Sequence, residues 1–383
     1  MRVGGYSHAV RIAAMVIGIL LLLAITSSVL RTLVVPRRLR SKIAEVTFLV
    51  TLWPLRWTAH RTSSYLARDR ILAWAGPLSI VVTLVVWLVG YLIGYALLLY
   101  GLEPTLLPSV AAREAGSSLL TLGFASTDRG QLTAVDFVAA ATGPIVIGLL
   151  IGYLPTLYGA YNRRETDVTM LEARAGEPNW GPEILARHAA IGAVANLDDL
   201  FASWERWAAD ISESHTNYPV LIHIRSSQPM RHWLVGMVSV MDAAAMQLSL
   251  APGLPQGRAR ISLRQGFVAL RDIAEVERIA FDPDPSPDGA LNLPYEEFAA
   301  AVEYVVDRGF PSTRTAAQAW PHFRGWRVNY EAIAYSLARR LDAPPALWTG
   351  DRFGDLELVP PVRPVNREPG GRTGAPQVPG VND

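Results

Sequence analysis

The stretch SSLLTLGFAST, residues 117–127, lies between two long apolar segments of this 383-residue chain. It completes a helix-forming run, contains one glycine, and is flanked by small hydroxyl residues. A loop exposed to water does not need Leu119, Leu120 and Leu122, whereas a segment that dips into a membrane does. The interpretation of this stretch therefore depends on whether its neighbours cross a bilayer.

Three segments meet the criterion for membrane helices, which is about 18 or more consecutive residues with few charges. They are residues 12–30, 71–102 and 137–162, and none contains Asp, Glu, Lys or Arg. The first could be read as a signal peptide, but Arg31 follows it directly and no small-x-small cleavage site stands out. These features predict an all-α membrane protein with three transmembrane helices.

The charges between these segments predict one orientation. Residues 36–70 carry eight basic side chains against Glu45 and Asp69, and Arg163 and Arg164 follow the third segment. The loop of residues 103–136 is acidic on balance. Short loops rich in Arg and Lys stay cytoplasmic. We therefore expect a multi-pass protein of the cell membrane, with its N-terminus outside and everything after residue 162 in the cytoplasm.

The linker of residues 37–70 is basic and contains an apolar run, residues 46–55, that is too short to cross a bilayer. Trp53 and Trp57, with Arg56 and Arg61 beside them, are typical of a helix that lies in the membrane interface. A simple amphipathic linker helix is the alternative.

The segment before Thr121 predicts a re-entrant helix. Residues 111–120 form about three helical turns, which cannot span a membrane. Non-helical backbone at membrane depth is tolerated where it is buried in protein or lines a water-filled path. A glycine permits the unusual dihedral angles of such a ribbon, and its carbonyl groups can replace the water shell of a cation.

The order of apolar span, short helix, Thr121-Leu122-Gly123-Phe124 and second span resembles the pore module of potassium channels, whose filter reads Thr-Val-Gly-Tyr/Phe-Gly. The resemblance covers about residues 74–164. It implies a re-entrant pore helix and a selectivity filter formed by Thr121, Leu122, Gly123, Phe124 and Ala125. It also implies an inner helix that bends at a glycine, for which Gly143, Gly148 and Gly152 are the candidates.

Besides the conservative change to Leu122, two departures from the family pattern bear on ion selectivity. Ala125 stands where the family has a second glycine, and Ser126 stands where it commonly has Asp. Alanine at positive φ costs about 1 kcal/mol or more. A weakly selective cation channel is therefore an alternative to a potassium-selective one, and a membrane-anchored helical scaffold or sensor with a vestigial pore is a second alternative.

Because one pore segment per chain cannot close a ring, the resemblance implies a homotetramer that conducts K⁺ or another monovalent cation, with the lipid bilayer and further copies of the chain as its partners. The net charge of +1 does not indicate nucleic-acid binding. We find no phosphate-binding, metalloprotease or serine-hydrolase motif, and there is no cysteine. The sequence indicates neither an enzyme nor a small-molecule ligand.

Apolar residues at i, i+3 and i+4 spacing predict a mostly α-helical cytoplasmic domain over residues 165–358. Its stripes start at Leu197, Trp233, Leu263, Phe298 and Tyr330. Residues 218–224 are compatible with one short strand. The predicted organisation is an N-terminal helix in residues 1–36, the linker in 37–70, the pore domain in 71–164, the cytoplasmic domain in 165–358 and a disordered tail rich in Pro and Gly in 359–383.

One acidic segment, DPDPSPDGALNLPYEEF, partly matches a calcium-binding loop. Asp284, Ser286 and Asp288 occupy its early ligand positions, but Tyr295 stands where a bidentate carboxylate is needed. An acidic, proline-rich linker is the preferred interpretation, and a calcium site is the alternative.

Overall fold

The computed structural model describes residues 2–35, 41–126, 130–350 and 356–362, with the backbone alone for residues 2–7. Within these ranges the chain is helical and contains no strand. The helices are α1 (Arg2–Leu33), α2 (Lys42–Ala59), α3 (Tyr65–Leu72), α4 (Ala75–Leu102), α5 (Pro108–Leu119), α6 (Gly130–Ala175), α7 (Gly181–Ala190), a 3-10 turn (Val194–Asn196), α8 (Leu197–Asn217), α9 (Val220–His223), α10 (Trp233–Leu250), α11 (Gly257–Glu277), α12 (Tyr295–Val306), α13 (Ala316–Arg327) and α14 (Glu331–Leu341).

The chain divides into two compact units. The first comprises Met1–Thr58 and Leu72–Gly159, and the second comprises Ala59–Ile71 and Ala160–Asp383. The helix α6 begins in the first unit and ends in the second.

Within the described residues, four segments are long and apolar enough to cross a membrane. They are His8–Leu33, Tyr65–Leu102, Gly130–Ala175 and Trp233–Leu250. Only 28%, 22% and 22% of the most apolar window is buried in the first three, against 100% in the fourth. An α-helix that is covered by protein on all sides belongs to a core. We therefore treat α10 as a core helix, and the other three as compatible with a membrane-embedded protein.

Close helix packing in the first unit depends on glycines. A Cβ on Gly18 would lie 2.8 Å from the carbonyl oxygen of Gly94, and one on Gly101 would lie 2.8 Å from that of Arg11. Gly90 and Gly94 are four residues apart on α4, the spacing that lets membrane helices approach closely. This contact fixes α1 along α4.

Polar groups join the same helices. The indole N–H of Trp87 donates to the Ser28 hydroxyl at 2.9 Å, and the hydroxyls of Thr26 and Tyr91 lie 3.0 Å apart. The guanidinium of Arg11 donates to the carbonyl oxygens of Tyr100 at 2.6 Å and of Glu103 at 2.5 Å, just where α4 ends. A cation at a helix C-terminus satisfies carbonyl groups that have no partner within the helix.

The second unit is built around α10, every residue of which is buried. The predicted helical stripes are present as α8, α10, α11, α12 and α14. Residues 218–224 are not a strand. They form a tight helical turn in which the N–H of Leu221 donates to the carbonyl of Tyr218 and that of Ile222 to the carbonyl of Pro219.

Buried arginines organise the second unit. Arg164 on α6 is fully buried and donates to the carbonyl oxygens of Leu221 at 2.8 Å and Ile224 at 2.7 Å. Arg225, which follows this turn, donates to the carboxylate of Asp69 at 2.6 Å. The turn that contains α9 thus joins α6 to the segment that precedes α4.

Deeper in the same unit, Arg327 pairs with Asp242 at 2.5 Å and with Glu331 at 2.9 Å. All three side chains are buried. Such a pair is strongly destabilised when one partner is removed, because the remaining charge stays buried.

The start of the predicted tail is bound to this unit. The N–H of Val359 donates to the carbonyl of Pro345, and Glu177 and Val362 exchange two backbone hydrogen bonds. Backbone pairing therefore holds residues that composition alone assigned to the disordered tail. Residues 363–383 lie outside the described part of the chain.

Candidate functional site

The short helix before the candidate filter extends over Pro108–Leu119, slightly ahead of the predicted residues 111–120. Pro108 occupies the first turn, where its missing N–H costs nothing. Ala111, Ala115 and Leu119 are buried on one face. Twelve residues rise about 18 Å, whereas the hydrocarbon core of a bilayer is about 30 Å thick. The helix α5 is therefore too short to span a membrane.

Two residues after α5 have left-handed backbones. The φ angle is 54° at Thr121 and 69° at Gly123, and Leu122 between them does not have positive φ. A Cβ on Gly123 would meet no atom within 4 Å, so only its dihedral angles call for glycine. Thr121 is β-branched, and positive φ is exceptional for such a residue. Ala125 does not have positive φ, so the expected steric cost falls on Thr121 instead.

Three consecutive N–H groups of this segment turn back to the end of α5. Thr121 donates to the carbonyl oxygen of Ser118 at 2.9 Å, and Leu122 donates to that of Ser117 at 2.8 Å. The N–H of Gly123 also points to Ser117, at the longer distance of 3.5 Å. The segment therefore begins as a C-terminal cap on α5.

These bonds set the direction of the carbonyl groups. In a trans peptide the C=O of one residue and the N–H of the next point in opposite directions. Because the N–H groups of residues 121–123 face α5, the carbonyl oxygens of Leu120, Thr121 and Leu122 point away from it. Where left-handed and right-handed backbone conformations alternate from residue to residue, successive peptide groups face the same side.

Side chains near the segment hold it against α5 and hold α5 against α6. The hydroxyl of Ser117 accepts the N–H of Ala125 at 3.0 Å, and the hydroxyl of Ser118 donates to Asp136 at 2.6 Å. The guanidinium of Arg113 lies 5.5 Å from the ring centroid of Phe124. Sequence reasoning placed the two serines at the end of a helix but did not identify these bonds, because they depend on how the chain folds back.

The three candidate hinge glycines of α6 differ in their surroundings. A Cβ on Gly143 would overlap the carbonyl oxygen of Leu119, the last residue of α5. A Cβ on Gly148 or Gly152 would meet no atom within 4 Å. Gly143 is thus a contact point between α5 and α6, whereas Gly148 and Gly152 lie on open helix surface.

The acidic segment forms turns on the surface of the second unit. Asp288 forms an ion pair with Arg324 of α13, and the N–H of Asp284 donates to Asp282 at 2.9 Å. The carbonyl oxygen of Ser286 accepts the N–H of Gly289 at 2.9 Å. Among the described residues, no group of three or more His, Asp or Glu side chains is arranged to hold a metal ion.

Three of the histidines in the second unit are structural. His215 is fully buried beside Arg164, with 3.2 Å between Nε2 and the guanidinium. His232 caps α10 by accepting the N–H of Leu234 at 3.2 Å. His223 contacts Glu277 at 3.2 Å.

The helices and turns around Thr121–Ala125 are thus the best-defined candidate site in the first unit. No protein-family model, curated protein or solved structure matches this chain.

Proposed function

We propose that the chain is the subunit of a potassium-channel-like cation channel. In this proposal four copies surround one pore, α4 is the outer helix, α5 is the re-entrant pore helix, and α6 is the inner helix. Residues Thr121–Ala125 form the filter. The first unit is embedded in the cell membrane, the N-terminus is outside, and the second unit is cytoplasmic.

The direction of the carbonyl groups after α5 carries this proposal. A helix too short to span is followed by residues with positive φ at Thr121 and Gly123, whose N–H groups return to that helix. Carbonyl groups on the far side of such a ribbon can take the place of water around a cation, although that of Leu120 also accepts the hydroxyl of Thr121 at 2.8 Å. The two flanking helices are among the segments apolar enough to cross a membrane.

Surface exposure favours an assembly over a single chain. The side chains of Leu122 and Phe124 are each 58% exposed, and Ile145 and Ile151 on α6 are 58% and 63% exposed. Exposed apolar side chains at the mouth of a water-filled path are unfavourable. A ring of four copies would cover the exposed apolar side chains that lipid does not cover.

Conduction of purified protein in planar bilayers tests the proposal. We expect K⁺ currents from the wild type and none from Gly123→Asp, because a side chain at positive φ strains the ribbon and adds a charge to it. Gly192→Asp is the matched control. Gly192 has the same φ of 69° and equally open surroundings, but it lies in the second unit. This control should conduct like the wild type.

Two outcomes would contradict the proposal. One is the absence of current at all voltages from protein shown to be folded, together with a monomeric or dimeric assembly in detergent. That result favours the membrane-anchored scaffold or sensor. The other is an equal current from the wild type and Gly123→Asp, which would locate the conducting path elsewhere.

The reversal potential under K⁺ and Na⁺ gradients distinguishes a potassium-selective channel from a weakly selective one. The second glycine of the family pattern is Ala125, which does not have positive φ and whose N–H is held by Ser117. This observation favours weak selectivity, because the backbone at Ala125 does not continue the alternation of left- and right-handed residues seen at positions 121–123. Ala125→Gly should shift the reversal potential towards that of K⁺.

A further inference from the structure

The helix α2 exposes an apolar face to the surroundings of the first unit. Val46, Leu49, Val50, Trp53 and Trp57 are 58%, 51%, 65%, 71% and 51% exposed. At 100° per residue, these five positions fall within an arc of about 100°. We call this arc the α2 apolar face.

The other side of α2 includes two buried hydroxyl residues. Thr47 and Thr51 are buried, and the hydroxyl of Thr51 donates to the carbonyl of Thr47 at 2.8 Å. Ser41, just before the helix, is buried against Ser28 of α1 with 2.5 Å between the hydroxyl oxygens. These hydroxyl groups face the protein, and Ile43, Phe48, Leu52 and Leu55 are half-buried. The most exposed apolar groups face outward, which is unfavourable for a helix that meets water.

The outward side chains of α1 provide a comparison within the same unit. Val16, Ile17, Leu20 and Leu23 are 46%, 55%, 60% and 61% exposed on a segment long enough to cross a membrane. The α2 apolar face is as exposed and as apolar as this surface. However, α2 contains Lys42, Glu45 and Arg56 within 18 residues and is not among the segments that meet the spanning criterion.

The position of α2 in the chain identifies what covers this face. The helix follows α1 after eight residues and precedes α4 by fifteen, so it is tethered between two segments that are apolar enough to span. Arg37, Arg38, Arg40 and Lys42 stand at its start in the sequence. Clusters of basic residues beside a membrane helix attract anionic headgroups, and Trp is enriched at the boundary between acyl chains and headgroups.

We propose that α2 lies in the membrane–water interface of the leaflet that carries this linker, with its apolar face in the boundary between acyl chains and headgroups and with Lys42, its first residue, on anionic headgroups. The proposal requires that the first unit is embedded in a membrane, but it does not require the pore to conduct. The alternative, a simple amphipathic linker helix, does not account for an outward face that contains two tryptophans.

Site-directed spin labelling of the full chain tests this proposal, and the absence of cysteine makes every single-cysteine variant specific. Val50→Cys and Leu49→Cys place a label on the α2 apolar face. Thr58→Cys is the matched control, because Thr58 is exposed on the same helix but lies about 130° from the centre of the face. The proteins are reconstituted in vesicles of phosphatidylcholine, with and without phosphatidylglycerol.

At Val50→Cys and Leu49→Cys we expect access to oxygen to exceed access to a water-soluble nickel complex at least fivefold. At Thr58→Cys we expect the reverse, and phosphatidylglycerol should deepen the labels on the apolar face. Equal access at all three positions would overturn the proposal. So would spin–spin broadening at Val50→Cys that vanishes on dilution with unlabelled protein, since a second copy would then cover the face. Unchanged depth with phosphatidylglycerol would overturn the role of anionic lipid.

Discussion

Gly143 of α6 packs so closely against Leu119 at the end of α5 that a methyl group on Gly143 would overlap the Leu119 carbonyl oxygen. This contact joins the short helix to the long helix that follows the candidate filter. It gives Gly143 a role in packing that is independent of helix bending.

We therefore expect Gly143→Ala to be destabilising, although alanine is ordinarily about 1 kcal/mol better than glycine inside a helix. Overlap with backbone forces α5 and α6 apart and should cost about 1–3 kcal/mol. Gly148→Ala is the control, because a Cβ there meets no atom within 4 Å. Thermal unfolding in detergent measures both. Equal or higher stability of Gly143→Ala would contradict this packing.

A second prediction concerns the left-handed backbone of Thr121, whose φ is 54°. Asparagine tolerates this conformation and valine does not. Thr121→Asn should therefore be more stable than Thr121→Val by about 1 kcal/mol. Chemical denaturation of the two purified variants measures the difference. If valine were tolerated as well as asparagine, the φ of residue 121 would have to be negative.

A third prediction concerns the capping of α4 by Arg11. Its guanidinium donates to the carbonyl oxygens of Tyr100, Glu103 and Leu106. Arg11→Ala removes these charge-assisted bonds and should lower the free energy of unfolding by about 1–3 kcal/mol. Arg11→Lys retains the charge but not the fork of donors, so its loss should be intermediate. Circular dichroism during heating in detergent provides the measurement, and a lysine variant as unstable as alanine would contradict the role of charge.

A fourth prediction concerns the stability of the second unit in acid. Burial raises the pKa of Glu277, but the hydrogen bond and charge of His223, together with Arg340, outweigh burial and hold this pKa at about 2. A carboxylate with a depressed pKa contributes stability above its unfolded pKa of about 4.5 and loses it as pH falls towards 2. The contribution is on the order of 3 kcal/mol at neutral pH.

Glu277→Gln should therefore be less stable at pH 7 and should show less loss of stability between pH 4.5 and 2. Glu275→Gln is the control, because Glu275 is exposed on the same helix. Tryptophan fluorescence during acid titration reports on both variants. A wild-type acid transition that is unchanged in Glu277→Gln would contradict the assignment.

A fifth prediction concerns His215 beside Arg164. Burial and the positive charge of Arg164 lower the pKa of His215 well below 6.5. The unfolded chain takes up a proton near pH 6.5 while the folded chain does not, so stability falls as pH decreases below this value. The slope is about 1.4 kcal/mol per pH unit for each such histidine. His232 is buried in the same way and adds to the effect.

His215→Gln should make the slope of stability against pH between 6.5 and 5 shallower, and substitution of the exposed His322 serves as the control. Denaturant unfolding at a series of pH values measures the slope. An unchanged slope in His215→Gln would mean that its imidazole titrates equally in both states.

Five helices of the second unit, α8, α10, α11, α12 and α14, could be predicted from sequence, because the 3.6-residue period of their apolar residues identifies the buried face of each. Residues 218–224 could not. Their apolar run suits a strand, but Arg164 and Arg225 hold the turn from either side, and nothing in the local sequence reveals those distant partners. Val359 and Val362 of the predicted tail, which pair with Pro345 and Glu177, could not be predicted for the same reason.

At the candidate filter, the sequence predicted a short helix before a glycine that permits positive φ. It assigned the expected strain to Ala125, whereas the structure has it at Thr121. The bonds of the serines and Asp136 could not be predicted, since each depends on how the chain folds back after α5.

The sequence by itself determined where the apolar helices lie, because a charge-free run has no other stable place than a membrane or a core, and a helix satisfies its own backbone. Tertiary structure decided which runs are covered, since α10 matches a spanning helix in composition yet is enclosed by protein. It also decided that Gly143 is a contact while Gly148 is open, and that α2 turns its tryptophans outward. These properties depend on atoms far apart in the chain, and local composition cannot specify which of those atoms meet.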